Sequence, residues 1–150
     1  MIRKATLEDE RGVQICAEDA YAQYIPAIGK KPAPMVADFA KQIAKGVVYV
    51  VENSIGEING FIVFFPIDGV MFLENVAVHN RAIGKGLGKA LIKFCEVEAT
   101  NSGLDTVELY TNEKMVENLS IYPHLGYTET ERRTESGFNR VCFRKSLHLS

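Results

Sequence analysis

The sequence predicts a single domain of the α+β class, in which a twisted, mostly antiparallel sheet of about seven strands carries helices on both faces. The first observation is the order of patterns: β-branched and aromatic runs alternate with segments of helical periodicity as βααβββαβαββ. Strands followed by βαβα units are typical of a mixed sheet covered by helices. The second is the length, because 150 residues without internal repeats fit one domain, residues 1–150, whose core needs no disulfides.

The N-terminal third is predicted to form one edge strand and two helices. The strand covers residues 2–6, and Thr6 begins a Thr-Leu-Glu-Asp sequence that is typical of a capping box at a helix start. Apolar residues at helical spacing extend this first helix to about Tyr24. Three prolines and a glycine between residues 25 and 34 predict an irregular segment, and the second helix is predicted over residues 35–45.

The rest of the chain alternates strands with turns and two further helices. Strands are predicted over residues 47–51, 61–65, 70–78, 106–110, 127–132 and 140–145. Helices are predicted over residues 86–100 and 115–125. Asp68-Gly69 and Glu135-Ser136-Gly137 mark tight turns, because these residue types tolerate the backbone angles that such turns require.

Composition and charge argue against several classes of protein. The formal net charge is −2, from 17 basic and 19 acidic residues, so no overall positive field favours nucleic acid. No apolar run approaches the ~20 residues of a membrane helix, and the N-terminus lacks the apolar segment of a secretory signal. Cys16, Cys95 and Cys142 are odd in number, widely spaced and without a Cys-x-x-Cys pair, which argues against a disulfide framework or a zinc cluster. We therefore expect a cytoplasmic protein that binds neither nucleic acid nor membrane and holds no metal.

Three glycines lie between a predicted strand and the helix that follows it. Gly84, Gly86 and Gly88 alternate with other residues, and glycine allows positive φ angles and a close approach of the backbone to a ligand. Successive N–H groups in such a loop converge on an anion. The helix N-terminus adds about half a positive charge, and Lys85 and Lys89 add mobile cations. The loop therefore predicts a phosphate or pyrophosphate site.

The spacing of these glycines distinguishes among the known phosphate loops. A dinucleotide-binding loop has the pattern G-x-G-x-x-G, and here the third glycine comes one residue too early. A P-loop needs a serine or threonine directly after its lysine, and neither Lys85 nor Lys89 has one. A nucleotide-binding domain is therefore a less favoured hypothesis. A turn that only packs the strand against the helix is another alternative.

Residues 76–92, with the sequence VAVHNRAIGKGLGKALI, resemble motif A of the GNAT superfamily of acetyl-CoA-dependent N-acetyltransferases. The strand at residues 73–78 resembles the one that binds the pantetheine arm of the cofactor in that family. Downstream, the sequence YPHLGY at residues 122–127 is similar to the tyrosine and Gly-Phe/Tyr segment that closes the family's domain. The resemblance extends over about residues 2–145.

This resemblance implies direct transfer of an acetyl group from acetyl-CoA to the primary amine of a small molecule or peptide. It implies no metal and leaves a homodimer open. The alternative function is a non-catalytic acyl-CoA-binding module that acts as a sensor. The implied cofactor-binding residues lie on the strand, the glycine loop and the later helix: Asn75, Val76, Ala77, Val78, Ile83, Gly84, Lys85, Gly86, Leu87, Gly88, Lys89, Asn118 and Tyr122.

Two positions depart from the family's motifs. The pyrophosphate motif is [Arg/Gln]-x-x-Gly-x-[Gly/Ala], and an ungapped alignment places Ile83 at its first position. A shift of two residues would place Arg81 there, but the ungapped alignment keeps the distance from Val78 to the helix. Where the family often has an asparagine seven residues before the tyrosine, this chain has Met115. Asn118 lies one helical turn from the tyrosine and is expected to substitute.

The resemblance also implies two catalytic residues, Tyr122 and Glu74. The Tyr122 hydroxyl is expected to donate a proton to the departing thiolate; the alternative is a core aromatic with a satisfied hydroxyl. Glu74 is expected to take a proton from the amine, whose neutral form costs about 4–5 kcal/mol at pH 7; the alternative is a surface residue paired with a cation. A β-bulge in this strand would free an N–H near residues 75–76 for the acetyl carbonyl.

The acceptor site is less well determined by the sequence. The resemblance places it between the first two helices, the central strands and the last hairpin. The residues expected to line it are Tyr21, Tyr24, Pro26, Met35 and Phe39, for most of which packing between helix and sheet is the alternative role. The histidines His79, His124 and His148 are expected on the surface.

Overall fold

Seven strands form one sheet in the computed structural model, which describes residues 1–147. In chain order they are β1 (Arg3–Lys4), β2 (Val48–Glu52), β3 (Ile58–Ile67), β4 (Val70–Val78), β5 (Thr106–Asn112), β6 (Thr128–Glu135) and β7 (Phe138–Ser146). Their spatial order is β1-β2-β3-β4-β5-β7-β6, so β1 and β6 form the edges. All neighbouring pairs are antiparallel except β4 and β5. The predicted sheet is confirmed, while His148 lies outside the described residues.

Helices cover both faces of this sheet, as the sequence predicts. They are α1 (Glu10–Tyr21), α2 (Ile25–Ile28), α3 (Phe39–Ala44), α4 (Leu87–Asn101) and α5 (Val116–His124). Phe61 and Ile62 are adjacent in β3 and both fully buried, because successive side chains of a strand point to opposite faces. Phe61 packs with Val13 and Phe39 of α1 and α3, and Ile62 packs with Leu91 of α4. In residues 1–147 no helix is both long and apolar enough to cross a membrane.

The segment between α1 and α3 differs from the predicted irregular link. Ile25–Ile28 forms α2, with Pro26 in its first turn and Gly29 in the left-handed conformation directly after it. Proline is favoured in the first turn of a helix and glycine after the last, so the residues that predict an interruption bound a helix instead. The next helix begins at Phe39, four residues later than predicted, because the Asp38 carboxylate caps it by accepting a backbone hydrogen bond at 3.0 Å.

The cysteines are free thiols inside the protein. Burial raises the pKa of Cys16 to about 12 and also raises the pKa values of Cys95 and Cys142. Cys95 lies on the inner face of α4, where the sequence predicts a core residue. The part of the chain that the structure describes contains no group of three or more His, Cys, Asp or Glu side chains that could hold a metal ion.

A buried carboxylate joins α4 to the last hairpin. Glu96 of α4 is 6% exposed. Lys145 Nζ of β7 donates to both of its oxygens at 3.1 Å, and the Tyr127 hydroxyl donates to Oε2 at 2.9 Å. Burial, followed by the Glu96 charge, raises the pKa of Tyr127 far above its ordinary value, so this hydroxyl remains a donor. The network fixes the hairpin that carries one wall of the site described below.

Removal of the lysine from this network should destabilise the protein strongly. Lys145→Met leaves a buried carboxylate without its cation, and we expect it to lower the free energy of unfolding by about 3 kcal/mol. The control is Arg144→Met on the same strand, because Arg144 forms an exposed ion pair with Glu108 at 2.8 Å, a kind of contact worth ~0–1 kcal/mol. Urea unfolding measures both changes. Equal losses of unfolding free energy in the two variants would contradict the claim that the buried Glu96 carboxylate depends on Lys145.

Candidate functional site

One extra residue in β4 opens the sheet at the site. Val63 of β3 faces Asn75 of β4, and the next residue, Phe64, faces Leu73, so Glu74 has no partner across the ladder. This is a β-bulge, a feature that bends a strand and interrupts its pairing, and it lies where a bulge would free an N–H near residues 75–76. On the other edge of β4, the pairing with β5 ends at Leu73. From Glu74 onward the two parallel strands separate.

A cavity of about 310 Å³ lies where the strands separate. Its walls are parts of α1, the segment between residues 32 and 42, β4, β5, α5 and β7. Glu74 from β4 and Tyr122 from α5 both line it. The fold therefore brings together the two side chains that the sequence singles out as a catalytic pair, although they are 48 positions apart in the chain.

Most of the residues expected at the acceptor site have other roles. Tyr21 lines the cavity, but Met35 and Phe39 are buried in the core beside α1. Tyr24 packs against that core and donates a hydrogen bond to a glutamate of α5 at 2.7 Å. Pro26 is exposed. Packing between helix and sheet, the alternative role for these positions, applies to Tyr24, Met35 and Phe39.

Tyr122 combines a core ring with a hydroxyl that has no protein partner. The residue is 5% exposed, and its ring packs at 5.7 Å from Tyr127 and 5.6 Å from Phe143. Among residues 1–147, its hydroxyl has no hydrogen-bond partner. Burial, with a smaller effect of Cys95, raises the pKa of Tyr122 well above its ordinary value. The hydroxyl therefore stays protonated and free to donate to a group in the cavity.

Glu74 is held by an amide rather than by a surface cation. Its Oε2 accepts a hydrogen bond from Gln42 Nε2 of α3, so the expected alternative of a cation pair is wrong. The carboxylate requires the NH₂ end of the Gln42 amide to face it. Gln42 Oε1 is then buried and has no donor in the described part of the chain. Gln42, which the sequence does not single out, thus fixes the carboxylate at the cavity wall.

The side chain after Glu74 ties the bulge to the helices. The Tyr21 hydroxyl lies 2.7 Å from Asn75 Oδ1 and 2.8 Å from the Val76 carbonyl oxygen, and it donates its single proton between them. Asn75 Nδ2 donates to the Pro34 carbonyl at 3.0 Å. Asn75 is 3% exposed, and both polar atoms of its side chain are engaged by the protein. The sequence signal for this contact is an asparagine that, with Glu74, interrupts the apolar residues of β4.

The glycine loop is open where side chains would otherwise project. Gly84 and Gly86 adopt φ angles of +89° and +75°, and a Cβ on either would meet no atom within 4 Å. Gly88 lies in the first turn of α4, where a Cβ would make an ordinary contact of 3.6 Å with Val78 Cγ2. Lys85 and Lys89 are exposed beside the loop. The open backbone, the N-terminus of a 15-residue helix and two lysines suit a diphosphate.

Arg81 is engaged away from this loop. Its Nη2 donates to the Ile58 carbonyl at 2.7 Å, and its Nε donates to Asn59 Oδ1 at 2.8 Å. Ile83, by contrast, is 60% exposed. The guanidinium therefore braces the start of β3, and the geometry favours the alignment that places Ile83 at the first position of the motif.

The helix that carries Tyr122 places Asn118 at the cavity as well. Asn118 Nδ2 donates to Thr111 Oγ1 of β5 at 3.1 Å, and both residues line the cavity. Met115, at the position where the family often has asparagine, is buried. Asn118 thus connects α5 to β5 one helical turn before Tyr122.

The two described histidines lie outside the cavity lining. His79 Nδ1 accepts a hydrogen bond from Arg81 N at 3.2 Å and caps the 3-10 turn Asn80–Ala82. Its side chain is 17% exposed, so this residue directly after β4 is partly buried and less exposed than the solvated position that the sequence predicts. His124 is exposed, as predicted, and its Nδ1 lies 2.8 Å from the Ser120 carbonyl.

The structure is similar to solved structures of acetyltransferases. The GNAT-family acetyltransferase of Staphylococcus aureus Mu50 is 15% identical, with a TM-score of 0.82 over 99% of both chains. The PaiA N-acetyltransferase of Thermoplasma acidophilum, in complex with coenzyme A, is 15% identical, with a TM-score of 0.79 over 97% of this chain and 98% of that one. The ribosomal-protein-S18-alanine N-acetyltransferase of Escherichia coli is 17% identical, with a TM-score of 0.76 over 100% and 95%. At these identities the likeness establishes the fold.

The family itself follows from the sequence comparison. Residues 44–129 match the model of the acetyltransferase (GNAT) domain, which is more than half of the chain and includes the bulge, the glycine loop and α5. The chain therefore belongs to the GNAT acetyltransferase family. A comparison with curated protein sequences finds no match.

Substitutions at Arg81 and Ile83 test which of them occupies the first position of the pyrophosphate motif. Arg81→Ala should lower the free energy of unfolding by about 1 kcal/mol, because exposed hydrogen bonds to β3 are lost, and should leave coenzyme A affinity within twofold. Ile83→Gln should tighten coenzyme A binding by ~0.5–1.5 kcal/mol, the contribution of one added hydrogen bond. Isothermal titration with coenzyme A and urea unfolding measure the two effects. A large loss of affinity in Arg81→Ala would favour the shifted alignment.

Proposed function

We propose that this chain is an acetyl-CoA-dependent N-acetyltransferase that moves an acetyl group directly to the primary amine of a small molecule or peptide. The observation that carries the proposal is that Glu74 and an unpartnered Tyr122 hydroxyl line one cavity, where β4 separates from β5. Membership of the GNAT family supports it. So does the structural likeness to the Thermoplasma acidophilum N-acetyltransferase, which was solved in complex with coenzyme A.

The residues of the loop and of β4 fit coenzyme A. The diphosphate would lie over Gly84, Gly86 and Gly88, where the backbone is open, with Lys85 and Lys89 as cations. The pantetheine arm would run along residues 75–78, whose edge toward β5 lacks a strand partner in the described structure. Leu87 and Ile83 would flank the diphosphate, and Asn118 would lie beside the arm. The N–H groups of the loop and of residues 75–78 belong to the backbone and are held in place by the fold, whereas the two lysine side chains are mobile.

Acetyl-CoA would supply an acetyl thioester, and the protein's own groups would move the protons. As the amine nitrogen bonds to the carbonyl carbon, Glu74 takes a proton from the amine. The C–S bond breaks, and Tyr122 donates its proton to the departing sulfur. The backbone N–H groups near residues 75–76, beside the bulge, stabilise the carbonyl oxygen as it gains charge. Gln42 keeps the Glu74 carboxylate at the cavity wall.

The alternatives make different demands on the site. A dinucleotide-binding domain of the doubly wound class requires a largely parallel sheet, whereas only one pair of strands among the described residues is parallel. A non-catalytic acyl-CoA sensor needs the glycine loop but neither Glu74 nor Tyr122. Thiol release from acetyl-CoA in the presence of amines therefore separates the sensor from the enzyme.

The loop assignment is tested by two glycine substitutions. Gly86→Val should abolish acetyl-CoA binding, because its side chain would fill the space over the loop. Its positive φ also costs about 1–3 kcal/mol with a side chain present, so the free variant will melt earlier. Gly88→Ala is the control, since its Cβ fits. Acetyl-CoA at a hundred times Kd should stabilise wild type and Gly88→Ala by ~2.7 kcal/mol, but not Gly86→Val. Stabilisation of all three would contradict the assignment.

The proton donor is tested by removing one oxygen. Tyr122→Phe keeps the packed ring, so cofactor binding and KM should persist while kcat and kcat/KM fall together. A general acid contributes 10²–10⁴-fold, and a thiolate is a fair leaving group, so we expect ~10²-fold. The loss should persist across pH 6–9, because the raised pKa keeps Tyr122 protonated there. If this variant had the kcat of the wild type, Tyr122 would not be the proton donor and would serve only in packing.

The proton acceptor is tested by a neutral isostere. Glu74→Gln retains a carbonyl oxygen for the Gln42 amide but cannot accept the amine proton. We expect the loss in kcat/KM to be greatest at low pH, where the amine is most protonated and most needs a base. The control is Glu108→Gln, because Glu108 lies on neighbouring β5 outside the cavity lining. Steady-state rates from pH 6 to 9 measure the effect, and a pH-independent loss would make Glu74 a structural residue.

A further inference from the structure

The β7 wall of the cavity holds one cation, Arg140. It lies two strands across the sheet from Glu74, since the order is β4-β5-β7. Its side chain is 14% exposed and lines the same cavity as Glu74. The sequence prediction of the site does not include this residue, because nothing local distinguishes it from the other arginines of the hairpin.

Arg140 has few partners for a cation with so little exposure. A guanidinium carries five N–H donors, yet within residues 1–147 its one ion pair is with Glu135, at 3.4 Å between Nη1 and Oε2. That distance is longer than a good hydrogen bond. Buried charges are normally paired and hydrogen-bonded. Arg140 therefore has donors to offer to a ligand in the cavity.

The sheet holds this guanidinium in place. Arg140 pairs in register with Asn112 of β5, and its Cζ lies 4.1 Å from the centre of the Tyr110 ring. This position over the ring restricts the guanidinium, and the cation–π contact offsets part of the cost of burial. A planar, oriented fork matches a carboxylate or phosphate in a two-point contact.

The opposite wall has the opposite charge. Glu74 lies on β4 and Asp38 at the start of α3, and both line the cavity. Pro32, Pro34 and Phe138 add apolar surface to the lining of the cavity. A volume of about 310 Å³ is at the small end of ligand sites. The cavity is thus complementary to a small molecule that is cationic at one end and anionic at the other.

We propose that the acceptor is a small amine that also carries an anionic group, a carboxylate or a phosphate, and that Arg140 binds this group. This inference rests on the proposed acetyltransferase function of the same site. The amine then faces Glu74. The anionic group accepts hydrogen bonds from the Arg140 guanidinium, whose ion pair with Glu135 spans 3.4 Å. The Glu135 carboxylate, which pairs with both Arg133 and Arg140, competes with this anion for Arg140.

The test compares amines that differ by one anionic group. The carboxylate pairs are leucine with isopentylamine, 3-aminopropanoate with ethylamine, and 4-aminobutanoate with propylamine, and the phosphate pair is O-phosphoethanolamine with ethanolamine. The purified full chain should have a lower KM for the anionic member of at least one pair, and the preferred member identifies carboxylate or phosphate. Arg140→Met should raise that KM by about 10- to 100-fold, as expected for lost hydrogen bonds between charges. Its KM for the matching simple amine should stay within threefold.

Two further variants separate binding by Arg140 from a general effect of charge. Arg144→Met removes an exposed arginine of the same strand and should leave every KM unchanged. Glu135→Gln removes the competitor and should lower the KM for the anionic amine severalfold. The proposal would be overturned if the wild type preferred simple amines, or if Arg140→Met raised KM equally for both members of a pair. Either result would leave the proposed acetyl transfer intact.

Equilibrium binding decides the question if no amine is acetylated. The coenzyme A-bound protein is titrated with the same amines by calorimetry, which does not depend on turnover. Binding of an anionic amine that is lost in Arg140→Met and kept in Arg144→Met would support the acceptor class even though the proposed catalysis had failed. Absence of binding by every anionic amine would overturn it.

Discussion

The separation of β4 from β5 is the constraint on which the rest of the site depends. Parallel strands remain together only while their backbone groups pair, and one extra residue, Glu74, ends that pairing after Leu73. The gap opens into the cavity, which the separated strands line together with the helices packed beside them. It also leaves a row of backbone donors and acceptors along β4, which a ligand with amide groups can pair with as a strand would.

Polar groups exposed by this opening must find other partners, and those partners shape the site. The Tyr21 hydroxyl reaches the Val76 carbonyl, and Asn75 reaches the backbone at Pro34. Gln42 meets the bulged carboxylate and leaves its own carbonyl oxygen unsatisfied, an arrangement that costs stability. The contacts that compensate for the opened sheet are therefore the same contacts that hold Glu74 and its neighbours in position at the cavity.

Local patterns predicted those parts of the molecule that local physics determines. Strand β4 begins and ends where the alternation and flanking turns place it, and the glycine loop follows from residue types alone. The prediction of an irregular segment around Pro26 was wrong, because proline and glycine are common at the ends of helices as well as in irregular segments. Gln42 and Arg140 could not be predicted, since their importance depends on neighbours from β4, β5 and the final turn. Long-range packing, rather than pattern, selects them.

The edges of the sheet bear on how the protein behaves at high concentration. β1 has two residues, and β6 carries acidic and basic side chains that are almost all exposed, with Arg132 paired to Glu129 and Arg133 to Glu131. A long, flat, apolar edge would be a template for the strands of other molecules, whereas a very short edge and a densely charged one are poor templates. The chain can thus keep an open, ligand-accessible gap at the middle of its sheet while both margins discourage fibrous assembly.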